Sequence, residues 1–227
     1  MKKYPGIATH RFDSATFNIK YLLYLCKKHI TGKVLDVGAG CGSFTKIYSN
    51  FNISSITLTE VDKENFYNLK KNFKKKNVKV FNCKIKKIKD TFDTIMYFHV
   101  LEHIYDDFEE LKEVNKRLKP NGKLIIVVPA HQKIYGKLDK EVGHYRRYEK
   151  QFFKKEIYSL RRVNIKFVDS IGYILYILNN IFFREEKFPS IYKIFIWDKI
   201  FIPISMLTDY FLKYKFGKCI VAIYQKK

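Results

Sequence analysis

The stretch VLDVGAGCGSFT, Val34–Thr45, decides the fold. With Lys33 in front of it, its first residues form an apolar run of the kind that becomes a buried parallel strand. Gly38, Gly40 and Gly42 follow at alternate positions, and Ser43–Asn50 then reads as a helix. Glycine lets the backbone turn sharply and approach a ligand, and a helix N-terminus offers unpaired N–H groups. Dinucleotide-binding loops need G-x-G-x-x-G. Here the spacing is G-x-G-x-G, preceded by an acid at Asp36. A carboxylate at that place repels a pyrophosphate and suits the ammonium of a methionine moiety, so the loop points to S-adenosylmethionine rather than NAD.

Outward from the loop, strands and helices alternate. Ser55–Thr59 reads as a second strand, and Asp62 caps a Lys-rich helix running to about Lys75. Val78–Phe81 and Phe92–Phe98 read as strands. Asp106–Leu118 carries Phe108, Leu111, Val114 and Leu118 at helical spacing. Pro120–Gly122 is a turn before a fifth strand, Lys123–Val128. Gln151–Arg162 reads as a helix, and Ile165–Asp169 and Cys219–Tyr224 as the last two strands. The expected fold is α/β: a doubly wound, seven-stranded, mostly parallel sheet in a single domain over 1–227. Residues 170–218, rich in Ile, Phe and Tyr, form a helical insert before the last strand. Ligands in such sheets bind at the carboxyl ends of the strands.

Glu60 ends the second strand about twenty residues beyond the loop, where a carboxylate can accept from both ribose hydroxyls. The blocks VLDVGAGCG, FDTIMYFHVLEHIYD (Phe92–Asp106) and LKEVNKRLKPNGKLIIVVP (Leu111–Pro129), with Glu60, resemble class I S-adenosylmethionine-dependent methyltransferases. The resemblance spans roughly residues 10–170, in the broad group that acts on quinones, sugars and other small molecules. It implies that Asp36, Gly38, Ala39 and Gly40 hold the methionine part and that Glu60 holds the ribose. It places the adenine at the loop after the third strand, Asn82 and Cys83, where the family usually carries an Asp. Phe98, ending the fourth strand, completes the expected cofactor set.

His99-Val-Leu-Glu102-His103 also matches H-x-x-E-H, a zinc-peptidase pattern. A peptidase carries that motif on a helix, whereas here it leaves a strand for a loop. Related methyltransferases with E-x-x-E-H hold a divalent ion; His99 replaces their first acid and removes a hard oxygen ligand. No metal is therefore expected, and Glu102 and His103 are read as bracing the loop through hydrogen bonds. His99 should face the methyl donor as a general base or acceptor guide, or else be a histidine at the edge of the core. GHYRRY (Gly143–Tyr148) resembles a block in a subset of these enzymes, often ones assigned to surface-sugar or lipid-like acceptors. It can close over the site, with His144 and Tyr145 as candidate catalytic residues and Arg146 and Arg147 placed to grip an anionic or hydroxylated acceptor. One Arg and one Tyr of the block are also expected to anchor the loop.

The net charge of +22 raises the question of nucleic acid. The excess is 37 Lys against 7 Arg, in a chain also rich in Asn, Ile, Phe and Tyr. An AT-rich coding sequence produces that composition without selection for a basic surface, and phosphate and guanine readers are usually Arg. Nucleic acid is thus a lesser reading than a small-molecule, sugar or lipid-like acceptor methylated at oxygen. The Lys-rich stretch Lys63–Lys89 is read as a solvated face. Four cysteines without a C-x-x-C pair argue against a zinc cage or disulfide framework. The N-terminus lacks the apolar core of a signal peptide, and no run is long enough to span a membrane. The expected location is cytoplasmic, peripheral to a membrane if the apolar insert serves as a surface contact rather than a lid or dimer interface. An RNA methyltransferase and a non-catalytic binding module retaining the fold stay open as alternatives; the glycine spacing counts against a dinucleotide oxidoreductase. The oligomeric state is not legible.

Overall fold

The computed structural model describes residues 10–154, 156–182 and 189–227. The opening residues 1–9 and the stretch 183–188 of the insert, both covered by the readings above, lie outside the described residues. After a turn at His10–Ser14 come α1 (Thr16–Cys26), β1 (Gly32–Val37), α2 (Ser43–Tyr48), β2 (Ile53–Thr59), α3 (Lys63–Asn72), β3 (Val78–Phe81), β4 (Phe92–Phe98), α4 (Asp107–Arg117), β5 (Leu118–Pro129) and α5 (Lys137–Glu141). Then follow β6 (Glu156–Ile157), β7 (Leu160–Val168), α6 (Ser170–Phe182), α7 (Ile191–Ile196), a wide π turn at Trp197–Phe201, α8 (Ile202–Phe211) and β8 (Cys219–Lys226).

The strands form one sheet in the order β3-β2-β1-β4-β5-β8-β7-β6. The first five are mutually parallel, and β8 enters antiparallel between β5 and β7. The apolar runs sit where they must: Val34 and Leu35, Ile95–Tyr97 and Leu124–Val128 are wholly buried. Each side of the sheet carries its own core, one around Phe92, Leu111, Tyr148 and Phe153, the other around Leu22, Tyr48, Leu69 and Ile202. Caps begin the helices as the sequence implies. Asp62 accepts from the Asn65 amide at 2.9 Å, and Asp106 accepts from the Glu109 amide at 3.0 Å. All four cysteines are unbridged.

Two expectations are corrected. Among the described residues the sheet has eight strands, not seven, because a two-residue strand, β6, pairs with β7 and extends its edge. Among the described residues of Gln151–Arg162 the expected helix is not formed. Phe152 and Phe153 pack into an aromatic cluster with Tyr148. The carbonyls a helix would use are taken by side chains instead: Arg162 Nη1 donates to Phe153 O at 2.7 Å and Tyr224 Oη to Lys154 O at 3.2 Å. From Leu160 onward the chain is a strand, paired along β8. Tertiary partners override the local helical pattern here.

The insert is fastened to the body by three buried acids. Asp209 accepts from Tyr21 Oη (2.9 Å) and from the Asp169 and Ser170 amides (2.7 and 3.0 Å). Asp198 receives the Phe17 and Asn18 amides at the start of α1, at 3.2 and 2.8 Å. Asp169 takes Trp197 Nε1, Ser205 Oγ, the Gly172 amide and the Lys218 ammonium. Each buried donor left without its acceptor costs about 1–3 kcal/mol. Asp209→Ala strands three of them, so a loss of about 3 kcal/mol or more in unfolding free energy is expected. Denaturant titration will show it as a lower midpoint; an unchanged midpoint would mean that the insert is held by apolar packing instead.

Candidate functional site

The loop between β1 and α2 turns on glycines in the left-handed region. Gly42 (φ +85°) lies against the Phe73 ring, where an added Cβ would come within 2.4 Å of ring carbon. Gly40 (φ +57°) has open space above it, so its backbone forms floor without obstruction. Asp36, at the end of β1, is 3% exposed. Its Oδ2 accepts from Tyr48 Oη at 2.7 Å and Thr45 Oγ1 at 3.2 Å, which fixes its rotamer. Burial pushes its carboxyl up to about 7, against those two hydrogen bonds. The group is therefore poised to be ionised by a cation brought beside it.

Above the loop lies a cavity of about 800 Å3. Asp36, Gly38, Ala39, Gly40 and Phe98 form one end of it. Its far wall comes from the insert, through Leu175, Tyr176, Ile194 and Trp197. The N-terminal turn closes the near side, where Asp13 accepts from Ser43 Oγ at 2.6 Å and Cys41 Sγ at 2.9 Å. Phe44 stacks on Phe98 with ring centroids 4.4 Å apart.

A second polar group faces the same cavity: His99, Glu102, His103 and His144. His99 follows β4 with a positive φ of 56°, a conformation rare for a non-glycine residue and common at functional sites. Its Nδ1 lies 3.5 Å from Glu102 Oε1. His144 Nε2 lies 3.9 Å from the same oxygen, and its ring meets His103 edge to face at 4.7 Å. Burial pushes His103 down to about 4. Burial also acts to raise Glu102, but the three imidazoles, His99 foremost, hold it below the ordinary carboxylate range. The bracing role expected for Glu102 is not what its side chain does: both oxygens are buried and neither accepts a hydrogen bond.

Behind His144 stands Asp139, wholly buried. It receives His144 Nδ1 at 2.8 Å, Arg147 Nε at 2.9 Å to each oxygen, Tyr176 Oη at 2.9 Å and the Gly136 amide at 2.9 Å. Burial works against its charge, yet His144 and the Arg147 guanidinium outweigh burial and hold the carboxyl at about 2. An ionised Asp139 carries no proton, so Nδ1 of His144 is the donor. In the neutral imidazole the Nε2 lone pair then faces the cavity.

The structure thus gathers Asp36, Gly38, Ala39, Gly40, Phe98, His99 and His144 around one space. Four predicted residues lie off its lining. Glu60 turns its carboxylate to the Gly40 and Asp62 amides, at 2.8 and 2.9 Å. Asn82 donates to the Glu60 and Val61 carbonyls and holds that corner. Cys83 packs against the core beside it. Tyr145 is 40% exposed and leans on Tyr105. Within the same block, Arg146 is bound to Asp107 at 2.6 Å, and Tyr148 donates to Asp107 as well. Asp139, Asp13, Tyr176 and Trp197 were missed. Asp139 alone carried a signal, an acid shortly before a histidine in a glycine-bounded segment.

A family model for a methyltransferase domain matches residues 8–162. No curated protein matches the sequence. Among solved structures, a SAM-dependent methyltransferase from Archaeoglobus fulgidus is 17% identical, with 99% of this chain and 100% of that one covered and a TM-score of 0.65. The N-methyltransferase NodS from Bradyrhizobium japonicum, in complex with S-adenosyl-L-homocysteine, is 14% identical over 92% and 85% of the two chains, with a TM-score of 0.59. Coclaurine N-methyltransferase, bound to N-methylheliamine and S-adenosylhomocysteine, is 15% identical over 92% and 70%, with a TM-score of 0.62.

Proposed function

This chain belongs to the methyltransferase-domain family, and from that premise we propose that it moves a methyl group from S-adenosylmethionine to a small-molecule, sugar or lipid-like acceptor, at oxygen. The observation that carries the reading is Asp36: a buried, oriented carboxylate opening on the cavity beside the glycine loop. S-adenosylmethionine supplies an electrophilic methyl group on a sulfonium. Asp36 would pair with its ammonium, and the Gly38–Gly40 backbone would lie under its methionine part. Glu60 keeps lone pairs for ribose hydroxyls beyond the two amides it already serves. Asn82 and Cys83 border the proposed adenine end. The apolar side chains of Leu175, Ile194 and Trp197 on its wall would limit water around a bound acceptor, which would strengthen each polar contact there.

At the acceptor end, His99 and the Asp139-oriented His144 offer nitrogens that could take the proton a hydroxyl acceptor must lose. Tyr145 would act from the rim. Two of the structural neighbours are N-methyltransferases by name, so an amine series belongs in the acceptor screen beside the hydroxyls.

Calorimetric titration with S-adenosylmethionine and, separately, with NADH tests the class. One-to-one binding of the first alone is expected; binding of NADH, or of neither, would overturn the reading. The same titration carries a pH signature. The ammonium is bound by ionised Asp36, whose carboxyl stands at about 7 in the empty protein. Affinity should therefore rise about tenfold per pH unit up to that point and flatten above it. A flat affinity across that window would separate the cofactor from Asp36.

The insert adds a proposed location. Ile191, Tyr192, Phe195, Leu207, Tyr210 and Phe211 are all more than half exposed, and Lys193, Lys199, Lys213 and Lys215 are interspersed among them. No described helix is long and apolar enough to cross a membrane. Apolar side chains with lysines beside them suit an anionic lipid surface. Flotation with phosphatidylglycerol vesicles, lost in neutral vesicles and in the Tyr210→Ser/Phe211→Ser variant, is the expected result. Equal flotation of that variant, or none of the parent, would remove the membrane from the account.

A further inference from the structure

We propose that Glu102, His103 and His144 hold a divalent transition-metal ion, with Zn2+ the best match to the donor set. Each of the three offers one ligand atom, and these atoms lie within 4.8 Å of one another. All three residues face the cavity. An ion bound at about 2.1 Å to each ligand needs ligand atoms roughly 3.4–4.2 Å apart, depending on the angle at the metal. His144 Nε2 and Glu102 Oε1, 3.9 Å apart, meet that requirement as they stand.

Glu102 carries the argument. Its side chain is fully buried, and neither oxygen has a hydrogen-bond partner. With no donor at hydrogen-bond distance, the lone pairs of this buried carboxylate are left for a cation. His99 Nδ1 stops at 3.5 Å, beyond a good hydrogen bond. His144 presents a second electron pair to the same spot, because Asp139 takes its Nδ1 proton. Two electron-rich atoms aimed at each other across 3.9 Å repel unless something positive lies between them.

The surroundings resemble those of a ligand set. Metal-bound histidines hand their other ring nitrogen to a carboxylate or backbone group, which fixes orientation and raises basicity. His144 does this to Asp139, itself locked by Arg147, Tyr176 and Gly136. His103 bonds to the Gly143 backbone. Two imidazoles and one carboxylate select a borderline metal over Mg2+, which takes oxygen ligands. His144 becomes a ligand in this arrangement, and His99 is left as the free imidazole beside the acceptor.

The test uses tag-free protein stripped with chelator, and its readout is binding rather than turnover. Titration with Co2+ should give visible ligand-field absorption saturating at one equivalent, displaced by Zn2+ and not by Mg2+. Glu102→Gln and His144→Ala should each weaken Co2+ binding a hundredfold or more. Asp139→Asn, which touches no metal, should weaken it about 10–100-fold. A parent protein that melts cooperatively and binds S-adenosylmethionine, yet takes up no more Co2+ or Zn2+ than His144→Ala, would overturn the inference and leave the methyltransferase reading intact. Metal bound without cofactor affinity would do the reverse.

Discussion

Asp36→Asn is expected to weaken S-adenosylmethionine binding by about a hundredfold or more without unfolding the protein. Removing one partner of a buried charge pair costs about 2–5 kcal/mol of binding, and each 1.4 kcal/mol is tenfold. The substitution keeps an acceptor for Tyr48 and Thr45, so the hydrogen bonds that orient the side chain survive. The stability effect has the opposite sign to the binding effect. Asp36 has a folded-state pKa raised to about 7, so folding favours its protonated form. That advantage fades as pH rises through 7, where the parent must keep a bare charge buried. The variant carries no charge, and at pH 8 without cofactor it should melt no lower than the parent. Calorimetry and thermal melts on the same two proteins check both halves. Retained tight binding would show that the ammonium is met elsewhere.

His144→Ala should lower turnover by about 10²–10⁴-fold while leaving the cofactor dissociation constant within about threefold. His144 and Asp36 both line the cavity but belong to separate polar groups within it. Loss of the imidazole does not strand Asp139, which keeps Arg147, Tyr176 and the Gly136 amide. A fall in activity therefore reports the loss of the imidazole itself, as base or as metal ligand, rather than the release of Asp139. The assay is formation of S-adenosylhomocysteine with each acceptor that passes the hydroxyl and amine screen. An unchanged rate would confine His144 to structure and leave His99 to act alone.

The half of the molecule that carries the glycine loop was legible because its signals are local. An apolar run before alternate glycines can hardly be anything but a buried strand entering a tight loop, and Asp36 sits inside that run. The five parallel strands announce themselves the same way. What was not legible depends on partners far along the chain. Phe153, Ile157 and Leu160 have helical spacing, and only Arg162, Tyr224 and the edge of β8 turn that segment into a hairpin. Asp198 and Asp209 look like ordinary polar residues in an apolar insert, and Asp169 like the end of a strand, yet together they fasten the insert to α1 and to Lys218. Glu102 reads as a loop acid; that it is wholly buried with no donor appears only once β4, β5 and the Gly136–Tyr148 segment are brought together.

β8 joins the two halves of the sheet, yet it is the last of the eight strands to be synthesised. Until it arrives, β5 and β7 each present an open inner edge of backbone donors and acceptors, rich in Val, Ile and Phe. Such edges are templates for pairing with other chains. Cys219, at the start of β8, and Lys218 just before it also line the cavity. Errors between Cys219 and Lys226 should therefore surface in a cell as inclusion bodies and chaperone load before they surface as a slower enzyme. That makes this short strand the point at which solubility, rather than chemistry, constrains the sequence.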